Sequence, residues 1–356
     1  MRNIELCVVH ALWVSLCASA CVAPDEAAVG EATSELSVSA WSSPTATTNA
    51  YRSGQVATLN GTTFMVSSGE CGAWSCWDSD EANDLYWSKF TSFAPVARTS
   101  GVQLSNQGSA RKSSVAAFNG FLYMVHTGVS DESQTWITRF DPATEEWSPN
   151  FQIPYVSFVG PPAIVAYGNR LFFIGTTPSF AMWVAWMSTD EIFTTASVIP
   201  GHTTASRPSA AVYNGLIYVA HRNGQTGDIV MGTFNGSSWS GILPIPAGTN
   251  GATVRGVDPV IATRNNFLHL VHRRPDSSYV WWTYFDGCSW PAEITINNLT
   301  TSYDPSLTTG GPGLVLTTTS DNTWNGIIES RKVFISTFNA PVPRFPPPPC
   351  TVVALP

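Results

Sequence analysis

VAAFNGFLYMVH at 115–126 and AAVYNGLIYVAH at 210–221 are one phrase written twice: an apolar run, Asn-Gly, then a second apolar run. TWITRFD (135–141) and EEWSPNFQIP (145–154) follow the first copy; DIVMGTFN (228–235) and SSWSGILPIP (237–246) follow the second. Asn-Gly between alternating apolar runs is the strongest short-range hairpin signal, because a two-residue type I′ turn needs positive φ at both positions. Each copy therefore supplies a hairpin and two further strand-sized pieces. A period of roughly 50 residues with four strands per period selects a propeller among the repeat architectures.

The turn anchors the weaker copies. Asn60-Gly61, Asn119-Gly120, Asn169-Arg170, Asn214-Gly215, Asn265-Asn266 and Gly311-Pro312 define six blades, with seven as the alternative count. The third strands align independently. Tyr86, Trp136, Trp183, Val230, Trp281 and Phe334 form one column, and Phe90, Phe140, Met187, Phe234, Phe285 and Phe338 stand four residues later. Between them come Ser88, Thr138, Ala185, Gly232, Thr283 and Ser336. Positions i, i+2 and i+4 share a strand face, so that face reads large, small, large and is expected to wedge one blade against the next.

Trp147, Phe193, Trp239 and Trp290 mark fourth strands, but the sixth copy runs into APVPRFPPPPC, too rich in proline for a paired strand. Trp41 stands in the same Trp-Ser setting near the other terminus, in LSVSAWSSPTA (36–46). This segment is expected to complete the last blade and close the ring, removing its sheet edges. The reading is an all-β, six-bladed propeller of four-stranded antiparallel blades over 36–340.

Outside the ring, residues 1–20 read as an export signal: Arg2, then LCVVHALWVSLCASA, then Cys21. This resembles a bacterial lipoprotein signal with Cys21 as the lipidated residue, although Ala18 occupies the position where leucine is usual; a plain cleaved secretory signal is the alternative. Residues 21–35 read as a flexible tether and 341–356 as a proline-rich tail. The chain is expected to be exported, as a surface or periplasmic lipoprotein or freely secreted, touching membrane only through an anchor at Cys21. Four further cysteines remain after Cys7, Cys17 and Cys21, and Cys71 with Cys76 and Cys288 with Cys350 is the pairing that uses the local pair CGAWSC. With 12% charged residues, a net charge of −8 and no basic run, a nucleic-acid surface is not expected.

Function is sought on the faces of the ring. The lead-in to each first strand and the loop after each second strand lie at the same end. One column there is Ser53, Lys112, Pro162, Arg207, Asp258 and Asp304; the other is Ser67, His126, Thr176, His221, His272 and Thr318, with Arg222, Arg273 and Arg274 just beyond. A concave mouth with histidines and mixed charge is the default ligand site, so His126, His221, Arg222, His272, Arg273, Arg207, Asp258 and Asp304 are the ligand-contact candidates. Histidine repeated at one blade position also reads as a packing residue, its ring nitrogens satisfied by a neighbouring loop. The long loop SSGECGAWSCWDSDEAND adds Trp74 and Trp77 as stacking surfaces for a sugar ring, or as a cap on blade 1. No cofactor is expected. Asp78, Asp80 and Asp84 offer hard oxygens to calcium, but the loop lacks the glycine and terminal glutamate of an EF-hand, and solvated loop charge is the favoured account.

AAFNGFLYMVHTG followed by TRFDPATEEW resembles a Kelch repeat, except that the glycine pair ending the Kelch second strand is replaced by His126-Thr127-Gly128 and its counterparts. FNGSSW (234–239) and FDGCSW (285–290) are similar to repeats of secreted six-bladed fucose-binding lectins and of sialidase-like propellers. The lectin resemblance implies a carbohydrate-binding propeller with a glycan as partner; the Kelch resemblance implies a scaffold for an extracellular protein. A glycoside hydrolase or lyase is the third reading, with Asp258 and Asp304 as its carboxylates. The sialidase boxes have no match in this sequence, and SDESQTW and SDNTW are the nearest strings.

Overall fold

The computed structural model describes residues 41–46, 51–70, 84–93, 96–109, 111–154, 156–204, 206–246, 253–302, 304–311, 313–324 and 327–338. They form six antiparallel sheets and no helix among the described residues. Blade 1 comprises Tyr51–Leu59, Thr62–Glu70, Asp84–Phe93 and, beside the third strand, Val96–Arg98 and Val102–Gly108. Blade 2 comprises Ser114–Phe118, Phe121–Thr127 and Thr135–Asp141, with the short pieces Glu146–Trp147 and Phe151–Gln152. Blade 3 is Ala163–Tyr167, Arg170–Thr176, Ala181–Ser188 and Ser197–Thr203; blade 4 is Ser209–Tyr213, Leu216–Arg222, Ile229–Phe234 and Leu243–Pro244. Blade 5 is Val257–Arg264, Phe267–Arg273, Tyr279–Phe285 and Ile294–Thr300.

Blade 6 takes three strands from one end of the chain, Ser306–Gly310, Gly313–Trp324 and Ile327–Phe338, and its fourth, Thr45–Ala46, from the other. Thr45 pairs with Ile335 and Ala46 with Phe334, while Trp41 bridges to Phe338. Trp41 is 3% exposed, its ring 5.2 Å from Phe338 and 6.0 Å from Trp282 of blade 5. The ring is closed by this N-terminal strand, and the count is six.

The hairpin chemistry explains why the repeat holds register. Asn60-Gly61, Asn119-Gly120, Asn214-Gly215 and Asn265-Asn266 have positive φ at both turn positions, as type I′ turns demand. Blade 3 differs by one residue: Tyr167 pairs with Arg170, so its turn is Gly168-Asn169, with the positive φ on glycine. The sequence reading had set this turn on Asn169-Arg170, one position late, because it followed the asparagine and not the glycine.

First strands stand innermost, where their outer edges would present unpaired backbone groups. Serines at the strand starts take up some of these. Ser209 Oγ accepts the Ile261 N–H of the next blade at 3.0 Å, Ser306 Oγ accepts the Val56 N–H at 3.1 Å, and Ser114 Oγ donates to the Pro162 carbonyl. At the hairpin end, Tyr167 OH donates to the Gly215 carbonyl (2.7 Å) and Tyr213 OH to that of Asn266 (3.0 Å), fastening blade 3 to 4 and 4 to 5.

The small column of the third strands is buried throughout: Ser88, Thr138, Thr283 and Ser336 are 1–2% exposed, and Ala185 is 1%. Gly232 shows why the position must be small, since a β-carbon there would lie 2.4 Å from His202 Cε1. Apolar clusters fill the seams between blades.

Candidate functional site

The lead-in column converges on the ring axis, but there it is braced. Arg207 of blade 4 spans the channel, its Nη2 donating to Ser114 Oγ (2.6 Å), the Ser113 carbonyl (3.0 Å) and Gln55 Oε1 (3.4 Å) on blades 1 and 2. Lys112 of blade 2 meets the Asp304 carboxylate of blade 6 at 3.2 Å. The axial cavity left around them is about 90 Å3 and is lined by residues of all six first strands. Arg207 and Asp304 are thus brought together at one place, as spokes across it.

The three histidines of the second column are elsewhere. His126, His221 and His272 are 0–1% exposed. His126 Nε2 is 3.0 Å from Asn150 Oδ1, and burial pushes its pKa down. His221 Nε2 lies 3.0 Å from Nδ1 of His202, whose Nε2 is 3.0 Å from the Ser240 carbonyl. A carbonyl only accepts, so His202 donates through Nε2, its Nδ1 accepts, and His221 must donate through Nε2. Burial, then the neighbouring His202, lowers His221 to about 3, and burial also lowers His202. Both rings are neutral at physiological pH.

His272 Nε2 donates to Glu293 Oε2 at 2.7 Å, and Glu293 also pairs with Arg274, whose guanidinium lies 3.6 Å from the Trp281 ring centroid. Arg222 and Arg273 are half-buried at the ends of their strands. The three histidines are thus buried against separate partners, Asn150, His202 of the neighbouring blade and Glu293.

Asp84 accepts from Gln103 Nε2 at 2.6 Å. Trp74, Trp77, Asp78, Asp80, Cys21, Cys71, Cys76 and Cys350 lie outside the described residues, as does the Asp258 side chain. Cys288, in the turn after the third strand of blade 5, is disulfide-bonded.

A cleft that the sequence reading missed opens between blades 2 and 3. It measures about 180 Å3 and is lined by Tyr123, Arg139, Phe151, Met187, Glu191 and Phe193, among others. Glu191 belongs to the turn before the fourth strand of blade 3, at the end of the ring opposite the lead-ins. Arg139 Nη1 is 2.6 Å from Glu191 Oε1, and Tyr123 OH donates to the same oxygen at 2.9 Å. Burial and then the Glu191 hydrogen bond raise the Tyr123 pKa to about 12, so the phenol stays a donor. The apolar wall is Phe151, 56% exposed and stacked on Phe193 at 5.7 Å and 25°. An exposed aromatic face beside a paired guanidinium and carboxylate can stack against one face of a ring and both donate to and accept from hydroxyls on its edge.

No family model matches the chain. No curated protein matches it. Among solved structures it is similar to the Hadza microbial sialidase Hz136, with TM-score 0.55 and 12% identity over 81% of this chain and 66% of that one. It thus spans just under two thirds of the sialidase. It is also similar to YjhT (0.55, 10%, covering 82% and 95%) and to a triple arginine-to-alanine mutant of AofleA from Arthrobotrys oligospora (0.55, 10%, covering 83% and 93%). At such identities the likeness establishes the β-propeller fold alone.

Proposed function

We propose that this protein is an exported, lectin-like carbohydrate-binding propeller, tethered at the cell surface through Cys21 and the segment that follows it. The observation that carries the reading is the cleft between blades 2 and 3, where Phe151 and Phe193 offer a stacking face next to Arg139, Glu191 and the Tyr123 hydroxyl. The similar solved structure named as a sialidase supports a carbohydrate setting in outline. Binding is favoured over hydrolysis because Glu191 is the one carboxylate among the described residues lining this cleft, and Arg139 neutralises it. Glycoside hydrolysis ordinarily needs two carboxyl groups flanking the bond.

A glycan array followed by titration tests the reading. Arg139→Ala should weaken binding of a retained glycan by ~1.5 to 3 kcal/mol, the scale for losing a hydrogen bond to a charged group. A panel of chromogenic glycosides should show no turnover. An array with no retained glycan would discard the proposal, and turnover would replace binding with hydrolysis.

A further inference from the structure

Five of the six seams receive an aromatic from the fourth strand of the later blade, placed by the same register; at the seam of blades 6 and 1, Arg98 stands opposite Phe90 instead. Trp147 pairs opposite Phe140 at the seam of blades 1 and 2, Trp239 opposite Phe234 at 3 and 4, and Trp41 opposite Phe338 at 5 and 6. Their rings pack at 5.3, 4.8 and 5.2 Å, and Trp290 packs on Phe285 at 5.3 Å at the seam of 4 and 5. At the seam of 2 and 3 the corresponding bridge joins Phe193 to Met187. There the indole is reduced to a phenyl ring and its aromatic partner to a thioether.

The polar half of this cleft also has a counterpart. Glu145 and Glu191 both hold left-handed backbones, with φ of 60° and 59°, a conformation that carries a strain cost outside glycine. Each carboxylate reaches back to a cation on the third strand of the preceding blade, Glu145 to Lys89 and Glu191 to Arg139. At the first seam Trp147 packs against the cluster of blades 1 and 2, as Phe193 does against that of blades 2 and 3. At the second seam the pair of Arg139 and Glu191 borders the open volume of about 180 Å3. Interiors are close-packed and a seam that loses part of a ring forfeits contacts, so the opening beside Phe193 lies where the aromatic pair of the repeat is broken.

Resting on the carbohydrate-binding reading, we infer that the absence of the repeat tryptophan at Phe193 creates a single saccharide site per chain, sized for one neutral sugar ring. The sugar lays its apolar face on Phe151 and Phe193 and directs adjacent hydroxyls to Arg139 and Glu191. The volume is below the roughly 300–1,000 Å3 of a drug-sized pocket, so one residue of a glycan enters and the rest stays outside. Because Arg139 and Glu191 cancel in charge, a carboxylated sugar gains no net attraction and meets the Glu191 carboxylate at close range.

The test is isothermal titration of the full chain with free glucose, galactose, mannose, fucose and, as the charged member, sialic acid. One or more neutral sugars should bind with a stoichiometry of one, at least tenfold tighter than sialic acid. Phe193→Trp should complete the seam, keep or raise the melting temperature, and reduce affinity at least tenfold. Trp147→Phe, the reverse exchange at the neighbouring seam, should leave affinity within twofold. Should Phe193→Trp fail to fold, Met187→Phe restores the other half of the repeat pair and should have the same effect. Unchanged binding in a folded Phe193→Trp or Met187→Phe variant, or a stoichiometry above one, overturns the single-seam site while leaving carbohydrate binding intact. Sialic acid binding as tightly as the neutral sugars overturns the choice of a neutral ligand. No binding by any of the five overturns the site together with the reading beneath it.

Discussion

Trp281 and Trp282 are neighbours on one strand and face opposite seams. The large-small-large column contains Trp281, yet that indole is half-buried beneath Arg274, whereas Trp282 is 1% exposed between Trp41 and Phe338. Trp282→Ala should therefore destabilise the ring by ~3 to 5 kcal/mol, the usual range for truncating a buried tryptophan. Trp281→Ala should cost markedly less, and urea unfolding of the two variants separates them. Alternation in the sequence identifies the two faces of a third strand but not which is the more deeply covered, because a blade has a neighbour on each side. The cleft was hidden for a related reason. Its signal is one Phe193 in a column of tryptophans, and a vacancy announces itself only when copies are compared position by position.

At the scale of the element, hairpins were the most legible parts of the chain and fourth strands the least. A turn that requires positive φ at two residues writes Asn-Gly into the sequence, and only blade 3, with Gly168-Asn169, was displaced. Fourth strands as short as Glu146–Trp147 and Leu243–Pro244 leave no alternation to read. His202 sits in a longer fourth strand, Ser197–Thr203, whose SVIPGHT carries no clean alternation, so its contact with His221 across the seam of blades 3 and 4 could not be foreseen. That contact makes the seam sensitive to acid. Both imidazoles have folded-state pKa values below their ordinary one, so the unfolded chain binds more protons as the pH falls below about 6.5. Stability conferred by the neutral pair is complete above that value and is lost progressively as the pH descends toward about 3. The melting temperature should fall between pH 7 and 5, and less steeply in His221→Leu. An identical slope in that variant would exclude the pair as the cause.

For the whole molecule, closure rests on two ends of the chain meeting in one blade. Composition and period disclosed that meeting, since the sixth copy lacked its fourth strand and Trp41 offered one. What the sequence left open was the axis: nothing in the column of lead-in residues announced that Arg207 and Lys112 would reach across the channel to other blades. The clasp also sets a timetable. Thr337 N–H bonds Ser42 Oγ across 295 residues of chain, so an emerging polypeptide can assemble five blades from local hairpins while its first strand waits unpaired for its last partner. Contacts of such long range are slow to form because the loop they close must be gathered first. A circular permutant that joins 41–46 directly behind Phe338 through a short linker should refold faster than the parent while unfolding at a similar rate. Equal refolding rates in stopped-flow would mean that the late step lies elsewhere. In the natural order, the strand made before those of the first blade is among the last to find its place.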